Sequence, residues 1–421
     1  MPTVSVILTS YNKPSTITKA IESVINQTFQ DWELFIMDDN SNNETTQIIK
    51  RYLGDPRIQY FNSNIKDNER FKTARYATLI NEAIPKTQGK YITYLTDDNI
   101  FLPERFEIMV NYLNQHPNID IVYSEQHVKY FDDNFNLFDE GVRQAPGILN
   151  QPVCIVDHCS VMHTRRIADL VFHKYGSYWD DHPINWGAGD AAFWVRLTQF
   201  QPFYPIKKIL DIALKYRDSY QNLSSNLPYV IPNGTLVRGF KPDIYLIDQQ
   251  RRRKITENML NPLKYSEEEV VRIPDPYLFR YEEGIPINHM VLIEPDKFPN
   301  QRLVKSPTNP IVYYIQNNKK HPIQSVEAFN NFKFRWDKIV EVNDEFLSKL
   351  PNGSMICPLA NEIITLPDGI LYQHQNDYYI CYNNHLHFIQ ENTLNKLKLP
   401  KENAVEMNND LFSQFKKGTP I

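Results

Sequence analysis

Two acidic pairs and one lone acid are the residues of this chain best suited to chemistry. Asp97-Asp98, in Thr96-Asp97-Asp98-Asn99, supplies hard oxygen donors of the kind that hold Mg²⁺ or Mn²⁺, an ion that in turn bridges phosphate oxygens. The same pair also suits a turn, or the approach to a helix after Pro103. Asp38-Asp39, followed by Asn40-Ser41, can accept a hydrogen bond from a nucleobase imide N–H, or can simply cap a turn. Tyr11 can stack on a base or cover the edge of a sheet. The lone acid, Asp190, follows Gly187-Ala188-Gly189 and opens an apolar helical stretch. It can cap that helix. It can also act as a general base, because an acceptor hydroxyl is a poor nucleophile until a positioned carboxylate takes its proton. No Gly-x-x-x-x-Gly-Lys loop and no Gly-x-Gly-x-x-Gly fingerprint occurs, so something other than a backbone cradle must neutralise a diphosphate.

The elements that would position these acids read as an alternation of strand and helix. Val4 to Leu8 is an apolar run, and Ile17, Ala20, Ile21, Val24 and Ile25 recur on one helical face. Trp32 to Met37 predicts a second strand and Thr45 to Tyr52 a second helix. Strands follow at Ile58 to Phe61, Tyr91 to Leu95 and Ile119 to Tyr123, with a helix from about Lys72 to Ala83 and another after Pro103. This pattern predicts an α/β fold, a mostly parallel, doubly wound sheet with helices on both faces. Ligands of such sheets bind beyond the carboxyl ends of the strands, where Thr9 to Asn12, Asp38 to Ser41 and Thr96 to Asn99 fall.

After about residue 225 the texture changes to short β-like runs broken by Pro, Asn and Gly. Ile244-Tyr245-Leu246-Ile247, Val312-Tyr313-Tyr314-Ile315 and Tyr378-Tyr379-Ile380-Cys381 are each followed by a partner run, and Ile287, Ile356 and Ile421 close three similar units. The expected division is residues 1–225 as one domain and 226–421 as a β-rich region of three tandem repeats, at approximately 230–287, 298–356 and 360–421. These units can bind an acceptor, mediate homo-oligomers, or merely stack.

With 421 residues the chain is too long for one ordinary core. A formal net charge of -5 argues against a broad nucleic-acid surface, so no nucleic acid is expected as a partner. No segment approaches the roughly 20 apolar residues of a membrane span, and the first residues lack the pattern of a signal peptide. A cytoplasmic location is therefore expected. Cys154, Cys159, Cys357 and Cys381 are too few and too scattered for a disulfide scaffold.

The stretches Val4-Ser5-Val6-Ile7-Leu8-Thr9-Ser10-Tyr11-Asn12-Lys13 and Glu33-Leu34-Phe35-Ile36-Met37-Asp38-Asp39-Asn40-Ser41-Asn42 resemble the opening of family 2 glycosyltransferases of the GT-A fold, in particular those of spore coat polysaccharide biosynthesis. Further blocks match in order to about residue 220: Tyr91 to Asn99, Asp157 to His163, Tyr175 to Asp180 and Pro202 to Pro205. The resemblance implies a hexosyltransferase-like enzyme that takes a UDP- or dTDP-sugar, with Mn²⁺ or Mg²⁺, and transfers the sugar with inversion to a carbohydrate or glycoprotein acceptor of a cell or spore surface. It implies that Thr9 and Tyr11 line the base pocket, Asp39 bonds the base, Arg70 holds the nucleotide, Asp97 approaches the ribose, Asp98 the metal, and Asp190 is the catalytic base. Many relatives carry Glu before that Asp, where this chain has Gly189. Asp157, His158 and His163 either touch the donor sugar or acceptor, or form a buried histidine pair. Trp179 and Asp180 either wall the acceptor pocket or belong to the core. Two other functions fit the same fold: a non-catalytic carbohydrate-binding scaffold, and a sugar nucleotidyltransferase.

Overall fold

The computed structural model describes residues 1–132, 134–359 and 365–421. Contacts divide the chain into two compact units, Met1–Asn222 and Leu223–Ile421. Positions 360–364, which open the third of the C-terminal units expected from sequence, lie outside the described residues.

The first unit is built on a mixed sheet. In chain order its elements are β1 (Val4–Ser10), α1 (Ile17–Ile25), β2 (Trp32–Asp38), α2 (Asn43–Lys50), β3 (Ile58–Asn62), α3 (Arg75–Ala83), β4 (Tyr91–Thr96), β5 (Asn99–Phe101), α4 (Arg105–Gln115), β6 (Ile121–Phe131), β7 (Leu137–Arg143), β8 (Val161–Thr164), α5 (Arg165–Tyr175), α6 (Gly189–Leu197) and β9 (Tyr204–Lys215). The strand order is β3-β2-β1-β4-β8-β6-β9-β5, with β7 paired to β6. β1 is parallel to β2 and β4, and β2 to β3, as expected from the alternation. Beyond β4 the sheet departs from the mostly parallel expectation, because β8 runs antiparallel to both β4 and β6. The strand expected at Ile119 to Tyr123 extends to Phe131; polar residues such as Glu125 and Lys129 alternate there with buried Gln126 and Val128, and so mask a strand half of whose side chains face inward.

β1 is buried along its whole length, which follows from its place between two strands with helices on both faces. Its side chains alternate between two cores. Val4, Val6 and Leu8 pack with Ile17, Ala20, Ile21 and Val24 of α1, whereas Ile7 packs with Ala77 and Ile80 of α3. Each fully buried Ile or Val contributes about 1.5–3 kcal/mol. Among the described residues no helix is long and apolar enough to cross a membrane.

The second unit holds three small sheets of one design. β10 (Leu236–Arg238), β11 (Ile244–Asp248) and β12 (Arg251–Ile255) form an antiparallel meander, with β13 (Val271–Arg272) and β14 (Glu282–Glu283) parallel at its edges. The meander of β15 (Arg302–Lys305), β16 (Tyr313–Gln316) and β17 (Lys319–Pro322) takes β18 (Ile339–Glu341) beside β15. That of β19 (Leu371–His374), β20 (Asp377–Tyr382) and β21 (His385–Ile389) is flanked by β22 (Val405–Glu406) and β23 (Lys416–Lys417). The central hairpins turn through Gln249-Gln250, Asn317-Asn318 and Asn383-Asn384, all with positive φ, the backbone of a two-residue type I′ turn. Three core clusters fill the unit, and each is shared by a different pair of sheets. The sheets therefore close on one another as a ring of three. Where the meanders begin, the N–H groups of Gly234, Gln301 and Gly369 donate to Ile247, Ile315 and Cys381 at 2.7, 2.7 and 2.8 Å.

Candidate functional site

The loops after β1, β2 and β4 leave the sheet side by side because those strands are parallel neighbours. Asn12 and Asn40 turn the first two loops with φ of 53° and 60°, a left-handed backbone that Asn tolerates better than most residues. The loops are then tied together: Asn12 N–H donates to Ser41 Oγ at 2.9 Å and Asn42 N–H to Asn12 Oδ1 at 2.7 Å. Thr9 is buried at the end of β1, opposite Met37 and Thr96.

Asp39 lies at the centre of a buried cationic cluster. Arg70 Nη1 donates to its Oδ2, while Arg75 reaches Oδ1 through Nε and Nη2 at 3.0 and 2.8 Å, and Ser63 Oγ adds a bond of 3.1 Å. Of the roughly four lone-pair sites of a carboxylate, the uncrowded one is on Oδ2. The Arg70 guanidinium also lies over the Tyr11 ring, 4.0 Å from its centroid, so Tyr11, Arg70 and Asp39 form one assembly. Asp38, by contrast, faces Tyr60 and Ser41 and serves the turn.

From Tyr11 the network passes to the third loop, since Tyr11 N–H donates to Asp97 Oδ2 at 2.8 Å. Burial, reinforced by the charge of Asp98, pushes the Asp97 carboxyl up to about 7, against the pull of Lys13. Lys13 pairs with Asp218 at 3.2 Å. Burial would lower its ammonium, but Asp98, Asp218 and Asp97 outweigh burial and raise it. Asp98 accepts from Thr96 Oγ1 at 2.7 Å.

Asp190 stands in the first turn of α6, one residue past Gly189, and accepts from Ala191 N–H at 2.8 Å. It is not the N-cap, which is Ala188. Its Oδ2 lies 4.0 Å from His158 Nδ1. Burial raises the Asp190 carboxyl, His158 pulls it down, and Asp157 pushes it up again. Asp157 itself is held well below the usual carboxylate range: burial acts to raise it, but His158, Lys215 and Arg143 prevail. At the far end of the 3₁₀ turn that begins at His158, Ser160 donates to Asp211 at 3.1 Å, and Asp211 is paired in the core with Arg105 at 3.1 Å. Tyr76, next to Arg75 on α3, accepts from Gly189 N–H at 2.7 Å, which links the Asp39 cluster to the start of α6. Asp39, Asp98 and Asp190 are thus joined by short chains of contacts along one end of the sheet.

Trp179 and His163 fall in the core and not at a pocket wall, whereas Asp180 lies nearer the surface. Trp179 is fully buried, stacked on Phe193 with centroids 4.8 Å apart, and belongs to the core. His163 is also fully buried, bonded to the Tyr94 hydroxyl at 2.7 Å and held by burial at about 4, so it is a neutral core histidine and not a partner of His158. Asp180 is half-buried and engaged by Arg196 at 3.2 Å. Sequence reasoning assigned no role to Lys13, Arg75, Tyr76 or Asp218. Lys13 ends the stretch Val4 to Lys13 that resembles the family's opening, but Arg75 and Tyr76 open a helix like many other polar residues and signal nothing until folded.

The model described as glycosyl transferase family 2 matches residues 5–164. Protein CgeD of Bacillus subtilis (strain 168) is 41% identical over 423 residues, spanning 99% of this chain and 95% of that protein. A protein of Methanocaldococcus jannaschii described as an uncharacterized glycosyltransferase is 38% identical over 220 residues, or 51% of this chain and 71% of that one. Among solved structures, S. aureus TarS aligns at 16% identity with a TM-score of 0.39, covering 51% of this chain and 37% of TarS.

Proposed function

The chain belongs to glycosyl transferase family 2, and on that premise we propose that it is a metal-dependent, inverting transferase that moves a sugar from a UDP- or dTDP-sugar to a surface polysaccharide or glycoprotein acceptor, of the spore in the reading that its sequence blocks suggest. The observation that carries this is the unbroken network Asp39–Arg70–Tyr11–Asp97 across three adjoining strand ends. In this reading Tyr11 and Arg70 hold the base, Asp39 Oδ2 accepts its imide N–H, and Asp97 meets the ribose. Asp190 takes the proton of the acceptor hydroxyl as that oxygen attacks the anomeric carbon from the face opposite the leaving diphosphate. Its raised carboxyl makes it a stronger base than an exposed Asp, and His158 steadies the charge it carries before the transfer.

The residues present fit a divalent cation. Asp97, Asp98 and Asp218 bear on a single ammonium, Lys13, so carboxylate charge outweighs cationic charge there. Asp98 would hold the ion, whose chemistry is to carry the charge that builds on the leaving diphosphate. Asp157, His158 and Cys159 also bring O, N and S atoms within 4.8 Å of one another. They suit a metal less well: Arg143 and the Cys159 N–H occupy the carboxylate, and burial keeps the thiol protonated. We read the three C-terminal sheets as tandem copies of one unit.

Calorimetric titration of UDP and dTDP, with and without Mn²⁺, into the wild type and Asp98→Ala tests the proposal. Metal-dependent binding that is lost in the variant is expected. Absence of binding under every condition would leave a scaffold that has kept the fold, and pyrophosphate release from a nucleoside triphosphate would identify a nucleotidyltransferase instead.

A further inference from the structure

We propose that the C-terminal unit carries a second carbohydrate site, specific for acidic glycans, where its three sheets meet. A cavity of about 360 Å³ lies there, within the size range of small-ligand pockets. Each sheet contributes the start of its meander, at Leu236, Leu303 and Leu371, and Tyr265, Tyr314 and Tyr382 supply aromatic surface.

The charge of the lining is one-sided. Five cationic side chains, Arg302, Lys333, Arg335, Lys338 and Lys398, face one acid, Glu269, in a chain whose formal net charge is -5. Glu269 is taken by Lys338 at 2.6 Å, and Arg335 pairs with neighbouring Asp337 at 2.7 Å. The other three donate to backbone carbonyls: Arg302 to Gln301 and Leu263, Lys333 to Glu402 at 2.9 Å, and Lys398 to Glu268 at 2.8 Å. None of these three has a carboxylate in ion-pair range among the described residues. Lys333 and Lys398 are exposed, so with Arg302 they place three cationic charges beside the cavity where an anion can reach them.

Two features select a glycan over a bare ion. Arg302 is fixed with its guanidinium 4.1 Å over the Tyr265 ring, a rigid fork that suits a carboxylate or phosphate group next to an apolar face. The Tyr265 hydroxyl is buried without a hydrogen-bond partner among the described residues. A ligand that carries hydroxyls beside its acidic group satisfies both. The site rests on the reading that this chain handles carbohydrate, and it would let one unit hold an acidic polymer while the other adds sugar.

The test titrates the full chain with a glucuronate-containing tetrasaccharide, an oligomer of glycerol phosphate glycosylated at its hydroxyls, a neutral N-acetylglucosamine tetrasaccharide and inorganic phosphate. UDP with Mn²⁺ is titrated in parallel. At least one acidic glycan should bind about 10-fold or more tightly than the neutral one, with affinity that falls as salt rises. The double variant Arg302→Gln, Lys398→Gln should lose about 10-fold or more of that affinity, the scale of a charged hydrogen bond, with UDP binding unchanged. Tyr265→Phe should weaken the glycan severalfold while its melting temperature holds or rises, the opposite of a packing role. Equal binding of acidic and neutral glycans, an unaffected double variant, no binding of either acidic glycan, or inorganic phosphate binding as tightly as the glycans would each overturn the proposal. Loss of UDP binding alone would instead strike the donor reading of the first unit.

Discussion

At Asp190 burial and a neighbouring ring pull the same carboxyl in opposite directions. Burial raises it above the ordinary Asp value of 3.8, so as the proposed base it becomes charged only at higher pH, and the acid limb of kcat/KM should lie above that value. His158→Asn removes the ring that favours the charged form, and the limb should move to still higher pH; a profile that stays in place would remove His158 from the mechanism. Asp190→Asn should lower transfer by about 10²–10⁴-fold while leaving UDP affinity intact. Asp97 makes a different prediction, about stability. Its folded value, about 7, exceeds its ordinary 3.8, so its contribution is fully present below 3.8 and is lost as pH rises to about 7. Asp97→Asn should therefore gain in melting temperature over the wild type across that window, and the gain should level off above it. Gly189 also finds its explanation at this scale: a Cβ there would approach the Tyr76 hydroxyl to 2.4 Å, so Tyr76 fills the space that a side chain at this position would need.

Among elements, those written in a local period were legible in the sequence. α1 begins and ends where its apolar spacing predicts, and Val4 to Leu8 lies within β1. The loops after β1, β2 and β4 were placed because alternation of strand and helix forces them to one end of the sheet. Elements fixed by distant partners were not legible. The helix expected from Lys72 starts at Arg75, after a separate 3₁₀ turn, Asp67–Lys72, that carries Arg70 to Asp39. The direction of β8 was also hidden, because an apolar run looks the same read either way. In the C-terminal sheets the positive-φ hairpins make a test at element scale. Asn383 is exposed with φ 49°, so Asn383→Gly should be near neutral, whereas Asn383→Val should cost about 1–2 kcal/mol in denaturant titration of the full chain.

Each of the two units has its own core clusters, so Met1–Asn222 produced alone should fold and bind UDP as the full chain does. Calorimetry on that fragment checks it, and failure to bind would mean that the donor site needs residues beyond Asn222. In the C-terminal unit, the starts of the three meanders converge on Gln301. Its side chain crowds Gly234 and Gly369, since a Cβ at either glycine would come within 2.1 or 2.3 Å of it. All three positions have positive φ, yet only one bears a side chain. Perfect threefold symmetry is therefore frustrated at the axis: three glutamines would collide and three glycines would leave a hole. Whichever sheet supplies the plug obliges the other two to remain bare, so no set of three identical units could close this ring as tightly.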